Sequence, residues 1–321
     1  FCCIKCWRKP LKNNSSHIPL ELWTENGAGE KLVVHTANSE KDEANYVISR
    51  IEEALLKGYS HKDIAVLYRT NAQSRNIEEA LIKSSIPYKI LGGFRFYARK
   101  EVKDAVSFLR VLYNPKDSVS WERIINVPPR GIGKKSQEAL QNSGWDVAQI
   151  EEKTKLPLGV WIKKVPELSP LELLDLVLEK TGYLAGLDDG SEEAKDRLEN
   201  LMELRSVAGL FGDLAEFLEN VSLIESADKP NAFDTDAVTL MTIHASKGLE
   251  FPIVFLVGME EGLFPHSQSM FEVGEIEEER RLCYVALTRA KEKVYLTNTR
   301  CRLLFGSTQS NMPSRFLAEI G

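Results

Sequence analysis

At 321 residues the chain exceeds what one hydrophobic core usually serves, so about two domains are expected. Its 43% hydrophobic and 27% charged content is that of a globular protein, and no apolar run is long enough to span a bilayer. A net charge of −6 argues against indiscriminate coating of nucleic acid, although a local basic groove would still suffice to bind DNA.

The opening stretch, FCCIKCW, is apolar but too short for a signal peptide and carries no cleavage pattern. It begins with Phe rather than Met, so a fragment of a longer protein is expected. Cys3 and Cys6 have the spacing of half a zinc or redox site. No second such pair, and no His pair, completes a tetrahedral set, so an atypical terminus is the expected reading. Cys283 and Cys301 are expected to be ordinary thiols of a reducing cytosol.

Residues 31–37, KLVVHTA, read as a strand. A helix follows: Ser39 suits the N-cap, Asp42 stands at the capping-box position, and Ala44, Val47, Ile48, Ile51 and Leu55 share one face before Gly58. Residues 64–70 give a second strand, Ile77, Leu81 and Ile82 a short helix, and YKILGG a third strand. A longer helix is predicted from about Arg99 to Tyr113, with Val102, Val106, Leu109 and Tyr113 on one side. Apolar strands alternating with helices mark an α/β fold with a parallel sheet covered on both faces.

From YNPKDS onward strand signals fade, and helical patterns follow one another to about Phe233: PLELLDLVLEKTG, AKDRLENLMELRSVAGLF and DLAEFLENVSLIES. Strands return with AVTLMTI, PIVFLVG and KVYLTNT. The expected organisation is therefore an α/β domain built from residues 1–113 and 234–321, interrupted by a mainly helical insert over 114–233.

Four segments carry candidate chemistry. In VLYRTNAQSR an apolar strand ends in Tyr68 and Arg69, where α/β sheets bind ligands. A ring and a guanidinium there suit a base and a phosphate, and on local chemistry alone a solvated strand end accounts for them slightly better. Between two buried strands stands the polar knot His244-Ala-Ser-Lys-Gly-Leu-Glu250. It is no phosphate loop, because G-x-x-x-x-G-K-[ST] occurs nowhere in the chain. In residues 275–300 a run of glutamates opens a helix, which favours carboxylates in its solvated first turn. Arg280 and Arg281 are expected to pair with those glutamates, whereas Arg289 falls between a helix end and a buried strand. Finally, Arg123, Arg130, Lys134 and Lys135 frame Gly131-Ile132-Gly133 with no acid between them. This is the pattern of a helix–hairpin–helix that offers backbone N–H groups and cations to a phosphate, or of a tight turn with a basic rim.

Taken together, these segments resemble the UvrD/PcrA/Rep group of superfamily 1 DNA helicases, closest to the PcrA/UvrD type. VLYRTNAQSR is similar to motif IV, TIHASKGLEFPIVFLVGMEEGLFPH to motif V and EEERRLCYVALTRAK to motif VI. IPYKILGGFRFYARKEVKDAVSFLRVLYNP, INVPPRGIG and PSRFLAEI resemble further segments, so the likeness runs over about residues 20–321.

The resemblance implies a RecA-like motor domain 2A with an inserted helical domain 2B, and a first motor domain absent from this chain. That absent domain would supply Walker A and Walker B and the Mg²⁺ ligands. The chain alone is thus not expected to hydrolyse ATP or to hold ATP or Mg²⁺ tightly. The implied whole is a cytoplasmic, nucleoid-associated bacterial ATP-dependent 3′–5′ DNA helicase of repair or replication. By the same resemblance Tyr68 stacks on adenine, Arg69 and Arg289 reach the γ-phosphate, and Glu250 binds the ribose. Thr242, His244 and Lys247 face single-stranded DNA, and Arg130, Gly131, Ile132, Gly133 and Lys134 face the duplex. No metal is assigned to the chain itself. The implied partners are single-stranded and duplex DNA, the first motor domain, and repair, replication or transcription proteins, with no membrane. The competing expectation is a non-enzymatic module that binds duplex DNA or a regulatory partner. A helicase–nuclease half would call for a carboxylate-rich nuclease segment, which these residues lack. Residues 1–14 and the middle of the insert, GWDVAQIEEKTKLPLGVWIKKV, depart from the family pattern.

Overall fold

A computed structural model describes residues 31–227, 236–270, 272–304 and 307–320. The cysteines at 2, 3 and 6 and residues 228–235, before the strands return, lie outside these. In chain order the elements begin with β1 (Val33–Ala37), α1 (Glu40–Leu56), β2 (Ile64–Tyr68), α2 (Ser74–Lys83) and β3 (Tyr88–Leu91). Next come α3 (Lys100–Tyr113), α4 (Ser118–Ile124), α5 (Lys134–Asn142), α6 (Val147–Thr154), α7 (Leu158–Lys164), α8 (Pro170–Lys180), α9 (Tyr183–Leu187), α10 (Glu192–Ala208) and α11 (Leu214–Ala227). The chain then returns to strands with β4 (Val238–Thr242), β5 (Phe251–Leu256), α12 (Val273–Thr288) and β6 (Ala290–Thr299), followed by β7 (Arg302–Leu304), β8 (Ser307–Gln309) and α13 (Arg315–Ile320).

Six strands form one sheet in the order β1-β6-β5-β2-β4-β3. Each neighbouring pair is parallel. Central β2 is buried along its whole length, because a parallel sheet is covered on both faces. Its side chains alternate. Ile64, Val66 and Tyr68 pack with Val47, Ile51, Ile77 and Leu81 of α1 and α2. Ala65 and Leu67 pack on the other face with Leu282, Cys283, Ala286 and Leu287 of α12 and Phe316 of α13. Phe255 and Tyr295 sit opposite each other in register and stack at 4.6 Å, a cross-strand aromatic pair that adds roughly 0.5–1.5 kcal/mol beyond its buried area. Ser39 caps α1 as expected, its hydroxyl accepting from the Asp42 N–H at 3.2 Å. The RecA-like α/β architecture is thus present.

The described residues fall into two compact units, the second of which runs from Phe96 and takes in all the helices from α3 to α11. The expected boundary at 113/114 therefore moves upstream, and α3 belongs to the helical unit. The physical reason is its apolar face: Val102, Ala105, Val106, Leu109 and Leu112 share a core with Leu173, Val177, Leu201, Leu204 and Phe217. Its polar side chains are also answered inside that unit. Asp104 accepts from the Tyr183 hydroxyl at 2.8 Å and pairs with Arg123 at 2.7 Å, and Glu101 accepts from Asn200 at 2.7 Å. Residues 144–165 contain two short helices, α6 and α7, whose Ile150, Leu158 and Trp161 enter the same core.

Candidate nucleotide and nucleic-acid sites

The polar knot is a crossing rather than a turn. β4 and β5 are parallel and flank β2, so the chain must travel from the C-terminal edge of the sheet back to its N-terminal edge. It does so within residues 243–250. The Ile243 N–H donates to the Tyr68 carbonyl at 2.9 Å, and the Thr242 hydroxyl accepts from the Ala245 N–H at 3.2 Å to close a 3₁₀ turn. Ser246 is buried and donates to the Ile243 carbonyl at 2.6 Å. Gly248 then takes a φ of +88°, which an L side chain rarely adopts. His244, Lys247 and Glu250 stay exposed and Thr242 half-buried. At the far edge Phe251 donates its N–H to the Arg289 carbonyl at 2.8 Å, and Glu250 lies 3.9 Å from Lys291.

Arg289 holds that far edge together. Its Nε donates to the Val285 carbonyl at 3.0 Å, Nη1 to the Leu249 carbonyl at 2.9 Å and Nη2 to the Thr288 hydroxyl at 2.9 Å. The guanidinium both caps α12 and ties it to the residue before Glu250. Cations suit a helix C-terminus, where carbonyls are left without partners.

Arg69 lies at the opposite edge, past the end of β2. Its Nε and Nη2 fork onto Glu279 of α12, with contacts of 2.9, 3.2 and 2.8 Å. Its backbone is fixed as well, since the Arg69 and Thr70 N–H groups both donate to Gln73 Oε1 at 2.9 Å. Gln73 leans on Gly258, where an added Cβ would lie 2.1 Å from its Nε2. The structure does not bring Arg69 and Arg289 together. Their partners on α12, Glu279 and Val285, are six residues and about 9 Å of helix rise apart. Meeting on one phosphate requires at least one of them to swing from its present contacts.

Tyr68 requires a correction. Its ring is 0% exposed and packed on the α1–α2 face, so it offers no open face to a base. Period-2 alternation was the available signal, since Tyr68 shares its face with Ile64 and Val66. Arg280 reaches Glu319 of α13 at 2.9 and 3.0 Å, and Arg281 pairs locally with Glu278 at 2.7 Å. Glu277 and Glu279 are buried rather than solvated. They fall on the inward helical face with Ile276, Leu282 and Cys283.

In the helical unit, residues 130–134 divide into anchors and exposed groups. The Asn126 amide oxygen accepts from the N–H of Arg130 at 2.7 Å and of Ile132 at 3.3 Å. The Arg130 guanidinium donates to the Val127 carbonyl at 2.6 Å, and burial holds its pKa below the ordinary arginine value. Ile132 is buried in the core. Gly131, with φ +71°, and Gly133, the N-cap of α5, are exposed with Lys134 and Lys135 beside them. Arg130 and Ile132 therefore shape the turn, while Gly131, Gly133 and Lys134 face outward. Among the described residues no three His, Cys, Asp or Glu side chains gather as a metal site, and no helix is long and apolar enough to cross a membrane.

Comparison with known proteins fits this geometry. The model of the UvrD-like helicase C-terminal domain matches residues 3–164 and 152–300. The chain is 46% identical over 341 aligned residues to an ATP-dependent DNA helicase PcrA of Staphylococcus epidermidis, covering 97% of this chain and 46% of that one. It is 44% identical, with the same coverage, to an ATP-dependent DNA helicase PcrA of Staphylococcus aureus. The chain thus spans about half the length of the curated relatives it matches.

Proposed function

Because this chain belongs to the UvrD-like helicase family, matched through its C-terminal domain, we propose that it is the second half of an ATP-dependent DNA motor of the 3′–5′ type. The α/β unit is read as motor domain 2A and the helical unit as the inserted domain 2B. The reading rests on one observation above all: residues 242–250 run from the edge carrying His244 to the edge where Arg289 bonds to Leu249 and Phe251, the neighbours of Glu250. A single short segment can then relay nucleotide state to a bound strand.

In this mechanism ATP is the substrate, held between this chain and the half of the relatives that it does not span. The Walker A lysine and the Mg²⁺ ligands are assigned to that other half. Arg69 presents its free donors to the γ-phosphate and Arg289 swings toward it, and together they stabilise the charge that develops there, a role that contributes ~10³–10⁵ in rate where it has been measured. Glu250 takes the ribose hydroxyls. No base-stacking role is proposed for Tyr68, whose ring is enclosed. Thr242, His244 and Lys247 grip single-stranded DNA while the cleft opens and closes. Contacts worth ~1–3 kcal/mol per nucleotide are strong enough to hold a strand and weak enough to release it. The site of action is the cytoplasm, at the nucleoid, in repair or replication.

The test is to join the chain to a first motor domain of a relative and measure ATP hydrolysis. The chain alone is expected to show none, and the joined protein to show turnover stimulated by single-stranded DNA. Turnover indifferent to DNA would sink the motor reading and leave a duplex-binding module as the better one. A second measurement addresses the helical unit. Changing Lys134 and Lys135 to Ala is expected to weaken duplex binding for every sequence. It should also flatten the slope of log affinity against log salt by about 2, the loss of two phosphate contacts. An unchanged slope removes both lysines from the interface.

A further inference from the structure

We propose that Glu279 is a positioning residue for Arg69, holding its guanidinium with one edge gripped and the other presented. The inference rests on the reading of Arg69 as a phosphate-sensing cation. Three observations carry it. First, Nε and Nη2 of Arg69 are both spent on the Glu279 carboxylate, at 2.8–3.2 Å. Nη1 makes no hydrogen bond among the described residues, and the side chain is 21% exposed. The free edge therefore points away from the carboxylate toward solvent. Second, Glu279 is itself immobilised. Its side chain is 3% exposed, and its Oε2 also accepts from the His266 N–H at 3.0 Å. Third, Gln73 fixes the Arg69 backbone, so the side chain is held at both ends.

An arginine left to itself spreads over many rotamers, and a phosphate must then select one. A carboxylate that forks onto one edge of the planar guanidinium fixes its plane and leaves the other donors aimed. Glu279 would thus act on the reaction only through Arg69. Misplacement of a reacting group by about 1 Å can cost on the order of 10²-fold in rate. A glutamine at 279 would keep an oxygen for the His266 N–H but would turn an amide N–H toward the Arg69 donors.

The experiment uses the full-length protein carrying both motor halves, with single-stranded DNA saturating. Glu279→Gln is expected to lower kcat for ATP by about 10–100-fold while KM stays within about threefold, the mark of an interaction made in the transition state. In an Arg69→Ala background the same change should slow turnover no further. Glu279→Asp, which keeps the charge but draws the carboxylate back by one methylene, should reproduce the kcat loss, and it decides the matter if Glu279→Gln fails to fold. Unchanged kcat in the variants, or an equal further loss in the Arg69→Ala background, overturns the positioning role while leaving Arg69 intact. Full turnover by Arg69→Ala alone removes the phosphate reading itself, and this inference with it.

Discussion

Replacing Arg289 by alanine in a protein that carries both motor halves is expected to cut DNA-stimulated ATP turnover by about a thousandfold at saturating ATP. Its side chain joins Leu249, next to Glu250, to the end of α12 through hydrogen bonds. Two effects would combine. Loss of charge near the γ-phosphate removes transition-state stabilisation. Loss of the bonds to Val285, Leu249 and Thr288 also frees the crossing segment, at roughly 0.5–1.5 kcal/mol per bond. Affinity for single-stranded DNA without nucleotide separates the two, because only the second should lower it. Arg289→Lys keeps the charge but not the planar fork, so it should recover part of the turnover. Full turnover in Arg289→Ala would reduce the residue to a helix cap.

Arg302→Met is expected to destabilise the α/β unit by about 3–5 kcal/mol, measured by urea or thermal unfolding of this chain. Arg302 is enclosed between two carboxylates that are almost wholly out of solvent. It meets Glu43 at 2.5 Å and Glu260 at 2.7 Å. Burial works against its charge, but those two carboxylates outweigh that and hold its pKa above the ordinary arginine value. The carboxylates are also fully used. Glu43 accepts from the Gly258 N–H and the Thr297 hydroxyl, and Glu260 from the Thr299 N–H and hydroxyl. Removing the arginine leaves two like charges buried within one network. Domains typically have only about 5–15 kcal/mol of stability in total, so the loss runs from about a fifth of it to all of it. Adding Glu43→Gln and Glu260→Gln should restore a large part of it. A change below about 1 kcal/mol would mean that water or a rearranged side chain replaces Arg302.

The sheet was legible in the sequence because its strands are short apolar runs between helical patterns, and Ser39 and Gly58 punctuate α1 where the reading placed them. What was not legible depends on distance along the chain. Arg302 and Glu43 are 259 residues apart, and nothing in local pattern pairs them. Glu279 was visible only as one glutamate in an acidic run. Its meaning comes from Arg69, 210 residues earlier, which brings a counter-charge to the buried face of α12. Arg130 differs, because the carbonyl that takes its guanidinium is only three residues away. A basic residue beside Gly131 reads as a phosphate contact until the Val127 carbonyl claims it. The exposed groups of the crossing segment were legible because a mere turn has no need of His, Lys and Glu side chains.

The placement of the helical unit has a consequence for how such a chain can be altered. It leaves the sheet after β3 and returns at β4, two strands that pair directly in parallel. A parallel pair always needs a crossover, ordinarily a dozen or more residues with one helix. Here that obligatory connection has grown into a second folded body, while the strand register it serves depends only on β3 and β4. The helical unit is in that sense a cartridge. A shorter crossover helix, or the corresponding body from a relative, can be spliced between the same two strands. The α/β unit would keep its sheet, and under the proposed function duplex handling could be exchanged independently of nucleotide sensing.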